Sequence, residues 1–193
     1  DSGTIIYKGK EIAQLSKREF KQFRKDIQLI FQDPYSSLNP KLNVCETIIE
    51  PIKYHRILTN RKELVKRAIE LLIDVGLSED FLYRYPHELS GGQRQRLGIA
   101  RAISVNPKII ICDEAVSALD VSVKAQVLNL LNKLKDDYNF TYIFISHDLS
   151  IVKHMCDNII IMNRGRIEES GDLDKIFVNP EKKYTKKLID AIL

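Results

Sequence analysis

Hydrophobic and polar positions change their spacing several times along this 193-residue chain. Residues 4–12 alternate around a Lys-Gly-Lys turn at positions 8–10, which predicts two short strands. The short, mainly apolar run at residues 27–31 predicts a buried strand, which the Gln32-Asp33-Pro34 sequence ends. The first 35 residues are therefore predicted to contribute strands to the fold.

Residues 36–104 are rich in turn residues at first and then follow a helical period. Within 61–77, the positions predicted to form the apolar face of an amphipathic helix are Leu64, Ala68, Leu71 and Leu72. Gly76 lies where this helix should end. A second helix is predicted to follow Leu89 and to continue through Leu97, Ala100, Arg101 and Ile103. We therefore expect a mainly helical insert at residues 36–104.

After Pro107 the pattern predicts a strand, a helix and another strand. The apolar runs at 109–112 and 141–145 predict two buried strands, the second followed by His147. The helix between them is predicted to bury Val123, Val127, Leu130, Leu131 and Leu134. A hairpin turning at 163–165 and a last helix starting near Lys182 complete the pattern. Alternating buried runs and helices predict an α/β fold with parallel strands covered on both faces.

Composition narrows the class of protein without specifying its function. With 44% hydrophobic and 29% charged residues, the chain resembles ordinary soluble globular domains. The net charge of +4 comes from scattered basic residues, and it indicates neither nucleic-acid binding nor a membrane surface. No apolar run approaches the roughly 18 residues of a membrane-spanning helix. The 3 cysteines lie far apart without C-x-x-C spacing, which predicts neither a disulfide framework nor a zinc site and fits a reducing cytosol.

Polar side chains follow three of the predicted strands. They are Gln32, the pair Asp113 and Glu114, and His147. Ligands of open α/β sheets bind beyond the carboxyl ends of the strands, so these residues are candidates for one site. Asp113 has the position of a Walker B aspartate that reaches Mg²⁺, and Glu114 could orient or deprotonate a water molecule attacking a γ-phosphate. A turn glutamine, a solvated acidic turn and a structural histidine are the alternative interpretations.

A second candidate site lies at the start of the helix after Leu89. Ser90 can cap this helix, and Gly91 and Gly92 would let backbone N–H groups approach a phosphate without obstruction by a Cβ atom. A helix N-terminus is an anion site. Three cations follow within ten residues, and an anion held there would balance them: Arg94, Arg96 and Arg101. The alternative is a capped helix whose arginines are solvated.

These motifs together resemble the ATP-binding cassette ATPase family. "FQD", "LSGGQRQR", "IIICDE", "SALD" and "ISHD" occur in the order of the family, and the resemblance covers essentially the whole chain. It implies a P-loop NTPase-type, mostly parallel sheet flanked by helices. It also implies a helical subdomain at 36–104, inserted into a discontinuous core formed by 1–35 and 105–193. "FQDPYSSLNP" and "DVSVKAQVLNLL" further resemble the subgroup that powers importers of oligopeptides, dipeptides and nickel.

The resemblance implies a role for each residue at the strand ends. Gln32 matches the Q-loop glutamine, which senses Mg²⁺ and the γ-phosphate, and Asp113 matches the Walker B aspartate. Glu114 matches the catalytic glutamate, and His147 matches the switch histidine that contacts the γ-phosphate. The implied cofactors are therefore ATP and Mg²⁺, with Gln32 and Asp113 on the metal side.

Two further motifs imply contact with a second ATPase subunit. The signature motif, which contacts ATP bound to the other subunit of a head-to-tail dimer, is matched by Ser90, Gly91, Gly92 and Gln93. Asp120 matches the D-loop aspartate that crosses the dimer interface. The implied partners are a second ABC ATPase in a homodimer or heterodimer, transmembrane permease subunits and, indirectly, an extracytoplasmic substrate-binding protein. Nucleic acid is not among them.

The sequence departs from the family in lacking the phosphate loop G-x-x-x-x-G-K-[ST]. Its Gly-Lys pair, at positions 9 and 10, is followed by Glu11 and lies in the predicted turn. We therefore expect an N-terminally truncated fragment that hydrolyses no ATP alone, without the strand, Walker A loop and helix that begin the fold. The resemblance implies that the parent protein energises an importer of peptides or nickel, peripherally bound at the cytoplasmic face of the cell membrane. The alternatives are a non-transport ATPase of DNA repair or translation, and a non-catalytic subunit that lends its signature motif to a partner.

Overall fold

The computed structural model describes residues 3–191, and its contacts divide the chain into two units, Asp1–Ile143 and Phe144–Leu193. The elements of the first unit are β1 (Ile6–Tyr7), β2 (Lys10–Glu11), α1 (Lys17–Asp26), β3 (Ile27–Ile30), α2 (Val44–Tyr54), α3 (Arg61–Asp74), α4 (Gly91–Ile103), β4 (Ile109–Asp113) and α5 (Val121–Tyr138). β5 (Thr141–Ile145) runs across the boundary. The second unit continues with α6 (Leu149–Met155), β6 (Asn158–Asn163), β7 (Arg166–Asp172), α7 (Leu173–Val178) and α8 (Lys183–Asp190).

The predicted pair of short strands at the start is confirmed. β1 and β2 are antiparallel, with Tyr7 opposite Lys10. The two residues between them, Lys8 and Gly9, have φ angles of 51° and 75°. A two-residue hairpin turn of type I′ requires positive φ at both positions, so glycine at the second position removes part of the cost.

Helix α1, which the apolar pattern did not predict, follows the hairpin and leads directly into β3. Ser16 and Glu19 form a capping box at its start: the Glu19 N–H donates to the Ser16 hydroxyl at 3.3 Å, and the Ser16 N–H donates to the Glu19 carboxylate at 3.0 Å. At its other end Asp26 is buried and accepts hydrogen bonds from Lys8 at 2.5 Å and Tyr7 at 2.9 Å. The hairpin and α1 are therefore held together by a buried carboxylate.

The central sheet has the strand order β3-β4-β5, and its β3–β4 pair is parallel. The mixed α/β class with parallel strands and flanking helices is confirmed. The prediction that residues 141–145 form a buried strand is wrong, because burial alternates along β5 and both Ile143 and Ile145 are 49% exposed. Successive side chains of a strand point to opposite faces, so only one face of β5 is covered in this structure.

Residues 36–104 are mainly helical, as predicted, and contain α2, α3 and α4. The predicted inner face of α3 is at most 1% exposed at all four positions: Leu64, Ala68, Leu71 and Leu72. The helix ends at Asp74, and Gly76 follows with a φ of +70°. Whether this segment forms a subdomain separate from 1–35 and 105–193 stays a prediction.

Helix α5 buries most of its predicted apolar face. Val127, Leu130, Leu131 and Leu134 are buried, whereas Val123, in the first turn, is only half-buried. Leu128, which was not predicted to be inside, is 7% exposed. Val123 follows two exposed residues, Val121 and Ser122, at the start of α5. Its side chain packs against Gly92 at the start of α4, where there is no Cβ atom to cover it.

The second unit contains the predicted hairpin and last helix. β6 and β7 are antiparallel, and the turn between them has positive φ at Arg164 (48°) and Gly165 (77°). The core beneath the hairpin consists of Val152, Ile159, Ile161, Leu173 and Ile176. Within residues 3–191, no helix combines the length and the apolar composition needed to cross a membrane.

Candidate functional site

The structure brings two of the candidate residues into direct contact. The Gln32 side-chain amide donates a hydrogen bond of 2.8 Å to a carboxylate oxygen of Glu114. The two residues are 82 positions apart in sequence. The parallel register explains the contact: Ile30 of β3 lies opposite Cys112 of β4, so the residues two positions after this pair, Gln32 and Glu114, come level at the same edge of the sheet.

The backbone at Glu114 has an unusual conformation for a residue with a side chain. Its φ angle is 45°, in the left-handed region, which costs roughly 1–3 kcal/mol for a non-glycine residue. Its carbonyl oxygen accepts hydrogen bonds from both the N–H and the hydroxyl of Ser117, each at 3.0 Å. The next two residues, Ala115 and Val116, are buried. These contacts anchor the turn and thereby fix the position of the Glu114 side chain at the end of β4.

Asp113 lies one residue before Glu114, at the end of β4, and its side chain is exposed. Among residues 3–191 there is no group of three or more His, Cys, Asp or Glu side chains arranged to hold a metal ion. The donors at this edge are a carboxylate at Asp113 and an amide oxygen at Gln32, which are hard oxygen ligands. Mg²⁺ typically takes one or two protein oxygens and completes its shell with phosphate and water. The donor set therefore fits a phosphate-bound Mg²⁺ rather than an all-protein metal site.

The signature-like motif begins α4 with a closed capping box. The Gln93 N–H donates to the Ser90 hydroxyl at 3.3 Å, and the Ser90 N–H donates to the Gln93 side-chain oxygen at 2.8 Å. Ser90 and Gly91 are exposed. A Cβ atom added at Gly91 would meet nothing within 4 Å, so this end of the helix is open to an incoming anion.

Gly92 has a packing role that sequence reasoning did not foresee. A Cβ atom at this position would lie only 2.5 Å from Cγ1 of Val123 on α5. The glycine is therefore required by the close approach of α4 and α5, whatever it contributes to a ligand. Of the two glycines, only Gly91 has free space beside it.

The arginines of α4 have hydrogen-bond partners within the chain, and whether a bound anion also balances their charge stays a prediction. Arg94 donates to the Pro86 carbonyl at 2.8 Å, and its guanidinium lies 5.0 Å from the centre of the Tyr35 ring. Arg101 donates to the Ser37 carbonyl at 2.6 Å. Burial lowers the pKa of Arg101 from its usual value. These two cations tie α4 to the segment that follows Gln32, which nothing in the sequence pattern indicated.

Arg96 also hydrogen-bonds within the chain, to elements other than those that Arg94 and Arg101 contact. Its guanidinium donates to the Val75 carbonyl at 2.7 Å and to the Gln126 side-chain oxygen at 3.3 Å. It thereby joins the end of α3 to α5. The alternative of solvated arginines is wrong, because all three side chains have partners within the chain.

The other two predicted site residues are Asp120 and His147. Asp120 is at the N-cap position of α5, where its carbonyl accepts a hydrogen bond of 2.8 Å from the Lys124 N–H and its side chain is exposed. His147 is exposed in the loop between β5 and α6, within the second unit. The next residue, Asp148, caps α6 by accepting from the Ser150 N–H at 3.0 Å. The roles of Asp120 and His147 stay predictions.

Three curated relatives match nearly the whole chain. The glutathione import ATP-binding protein GsiA of Escherichia coli O157:H7 is 48% identical over 190 residues. The oligopeptide transport ATP-binding proteins OppF of Bacillus subtilis and Streptococcus mutans are 46% and 47% identical. These alignments cover 98–100% of this chain, but only 30% of GsiA and 62–63% of the two OppF proteins. The chain thus spans less than two thirds of the length of these relatives.

Solved structures show the same fold. The ATP-binding cassette MJ0796, determined as a dimer in a post-hydrolysis state bound to ADP and Pi, matches with a TM-score of 0.77 and 32% identity over 89% of this chain and 74% of its own. CbiO1 of Clostridium perfringens, part of the ABC transporter complex cbiONQ, matches with a TM-score of 0.78 and 28% identity over 92% and 69% of the two chains. The ABC transporter family model matches residues 1–117, more than half of the 193 residues, and the chain therefore belongs to the ABC transporter family.

Proposed function

We propose that this chain carries hydrolytic and partner-contacting elements of an ATP-hydrolysing subunit that energises a peptide importer. The observation that supports this most directly is the hydrogen bond between Gln32 and Glu114 at the end of the parallel strands. This contact joins an amide and a carboxylate at the edge where α/β sheets bind ligands. ATP and Mg²⁺ are the proposed cofactors.

Each residue at this edge has a proposed chemical task. Glu114 orients and deprotonates the attacking water, a contribution worth about 10²–10⁴ in rate. Gln32 holds the Glu114 carboxylate through its amide N–H and offers its amide oxygen to Mg²⁺, beside the Asp113 carboxylate. When bound, Mg²⁺ would neutralise charge on the phosphate oxygens. His147 is proposed to contact the γ-phosphate.

The signature motif, Ser90 to Gln93, is proposed to contact a nucleotide held by a second ATPase subunit. The exposed start of α4 and the open space at Gly91 support this role, as does the dimer described for MJ0796. Asp120 would lie at the interface between the subunits. In this arrangement, 36–104 acts as the helical subdomain, and 1–35 with 105–193 acts as the nucleotide-side core.

Peptides are the proposed cargo, because the printed names of the relatives are those of oligopeptide and glutathione import proteins. Nickel is supported only by the motif resemblance. The remaining proposed partners are transmembrane permease subunits and, indirectly, an extracytoplasmic substrate-binding protein, with the chain bound peripherally at the inner face of the membrane.

The test is Mg-ATP hydrolysis by this chain mixed with OppF of Bacillus subtilis, a longer relative. We expect ATP to promote association of the two proteins and the chain to add hydrolytic activity. Glu114→Gln should lower the added activity by about 10²-fold or more. Glu63→Gln, the same change at an exposed carboxylate in the first turn of α3, should leave it unchanged.

Two other outcomes would change the proposal. If Glu114→Gln stimulates hydrolysis as well as the unsubstituted chain does, and Gly91→Val does not, the chain only lends its signature motif to a partner. If ATP induces neither association nor added hydrolysis, the proposed function is wrong.

A further inference from the structure

One exposed aromatic ring of the first unit holds two cations. The Lys21 ammonium lies 4.8 Å from the centre of the Tyr54 ring, and the Arg24 guanidinium lies 5.5 Å from it. Arg24 also donates a hydrogen bond to the Tyr54 hydroxyl. Lys21 and Arg24 lie one turn apart on α1, and Tyr54 ends α2. With the neighbouring rings of Phe20 and His55, these residues form a surface that we call the Tyr54 patch.

The positive charge of the Tyr54 patch is not neutralised by the carboxylates of α1. Glu19 forms a salt bridge with Lys10, and Asp26 forms one with Lys8. Between residues 3 and 191, neither Lys21 nor Arg24 takes part in a salt bridge. Two like charges that share one ring repel each other, so an external anion would stabilise this arrangement.

His55 lies close to the same positive charges. Its ring packs edge-on against Tyr54, with the ring centres 4.9 Å apart. Burial lowers the pKa of His55, and the charges of Lys21, Lys25 and Arg24 lower it further. Three cations of α1 therefore act on one imidazole at the end of α2, and the histidine stays neutral at pH 7 instead of adding charge.

The patch is apolar as well as cationic. Tyr54 is 50% exposed and Phe20 is 40% exposed, and the Arg24 guanidinium lies 5.4 Å from the Phe20 ring. Arginine and aromatic residues are enriched at protein–protein interfaces whereas lysine is depleted there, so Lys21 is the residue of the patch that disfavours a protein as the occupant. Lysine and arginine beside exposed aromatic rings are typical of surfaces that meet a bilayer carrying anionic lipids.

We propose that the Tyr54 patch binds the head groups of anionic phospholipids at a bilayer surface. Lys21 and Arg24 pair with lipid phosphates, and the Tyr54 and Phe20 rings lie at the level of the head groups. This inference goes beyond the proposed function and does not depend on it, because it concerns α1 and the end of α2 and requires no nucleotide.

The experiment is sedimentation of the 193-residue chain with phospholipid vesicles. Vesicles of phosphatidylcholine alone are compared with vesicles of equal parts phosphatidylcholine and phosphatidylglycerol, at low and high salt. We expect binding to the anionic vesicles, weakened by salt. Each Lys or Arg near such a surface contributes a factor of about five in partitioning, so Lys21→Gln/Arg24→Gln should reduce binding about 25-fold.

The matched control is Lys183→Gln/Lys187→Gln, which removes the same charge from exposed positions on α8. It should bind like the unsubstituted chain, and Tyr54→Ala should weaken binding at high salt, where the rings contribute most. Circular dichroism would verify that each variant is folded. The proposal is overturned if the chain does not sediment with anionic vesicles, if it binds phosphatidylcholine equally well, or if both double variants lose binding to the same extent.

Discussion

Replacing Gly92 with alanine would place a methyl group against the neighbouring helix. Its Cβ atom would lie 2.5 Å from Cγ1 of Val123 and 3.9 Å from Cγ2. Carbon atoms that are not bonded are most stable at about 3.5–4.0 Å, so the closest pair would have to separate by about 1 Å. Val123 cannot rotate away at low cost, since a β-branched side chain in a helix has one strongly preferred χ1 rotamer.

The expected loss of stability follows from two opposing effects. Overpacking of this kind costs about 1–3 kcal/mol, and replacing glycine by alanine inside a helix contributes up to about 1 kcal/mol in the opposite direction. Gly92→Ala should therefore lower the free energy of unfolding by about 1 kcal/mol. In a Val123→Ala background the clash is absent, and Gly92→Ala should become neutral or stabilising. The coupling energy between the two positions should be about 2 kcal/mol.

Gly91 provides the matched control, because a Cβ atom there meets nothing within 4 Å. Gly91→Ala should be neutral or stabilising in both backgrounds. The assay is urea unfolding followed by circular dichroism, at one pH, for the single and double variants of Gly91, Gly92 and Val123. If Gly92→Ala is as stable as Gly91→Ala while Val123 is present, the packing argument for this glycine fails. A double variant that regains stability but not ATP-dependent association would assign Gly92 a nucleotide contact as well.

Two further predictions concern polar side chains that join elements of the fold, the buried Asp26 and the half-buried Tyr138. Burial raises the pKa of Asp26, but the hydrogen bonds from Lys8 and other donors outweigh it and leave the pKa lowered. The stability that this carboxylate contributes is therefore present above about pH 4 and is lost as the pH falls through the folded-state pKa. Asp26→Asn should lower the urea midpoint at pH 7. Between pH 7 and pH 3, the midpoint of this variant should fall less than that of the unsubstituted chain. Tyr138 donates to Asp74 and accepts a hydrogen bond of 3.3 Å from Arg67, joining α5 to α3. Tyr138→Phe should therefore cost about 1–2 kcal/mol in urea unfolding, and an unchanged midpoint would contradict this link.

Apolar periodicity predicts those elements whose buried face can be identified from the spacing of apolar residues within one segment. The inner face of α3 repeats at the helical period, so Leu64 and Leu71 could be placed in the core from sequence. Helix α1 was missed because its apolar content is low and one of its rings, Phe20, is 40% exposed. The sequence does carry a signal for it, since Ser16 and Glu19 have the spacing of a capping box.

The strand ends show which part of the site could be predicted. That Gln32 and Glu114 follow strands is visible in the sequence, but their contact depends on β3 and β4 being neighbours in register. A run of apolar residues says nothing about which strands pair. The same limit explains the arginines of α4: the acceptors of Arg94 and Arg101 are carbonyl groups 8 and 64 residues away, and no local pattern identifies them.

Charge is the property for which sequence and structure differ most. In the sequence the cations are scattered, and the net charge of +4 indicates no surface. The fold separates them, because the hairpin lysines, Lys8 and Lys10, occupy the two carboxylates that bracket the cationic stretch of α1. Lys21 and Arg24 are left on the Tyr54 ring without a salt bridge anywhere in the described part of the chain, residues 3–191. The positive surface of α1 is therefore a consequence of the hairpin. Substituting Lys8 or Lys10 should weaken lipid binding by the Tyr54 patch although neither lysine belongs to it. Each freed carboxylate would then compete with lipid phosphate for Lys21 and Arg24.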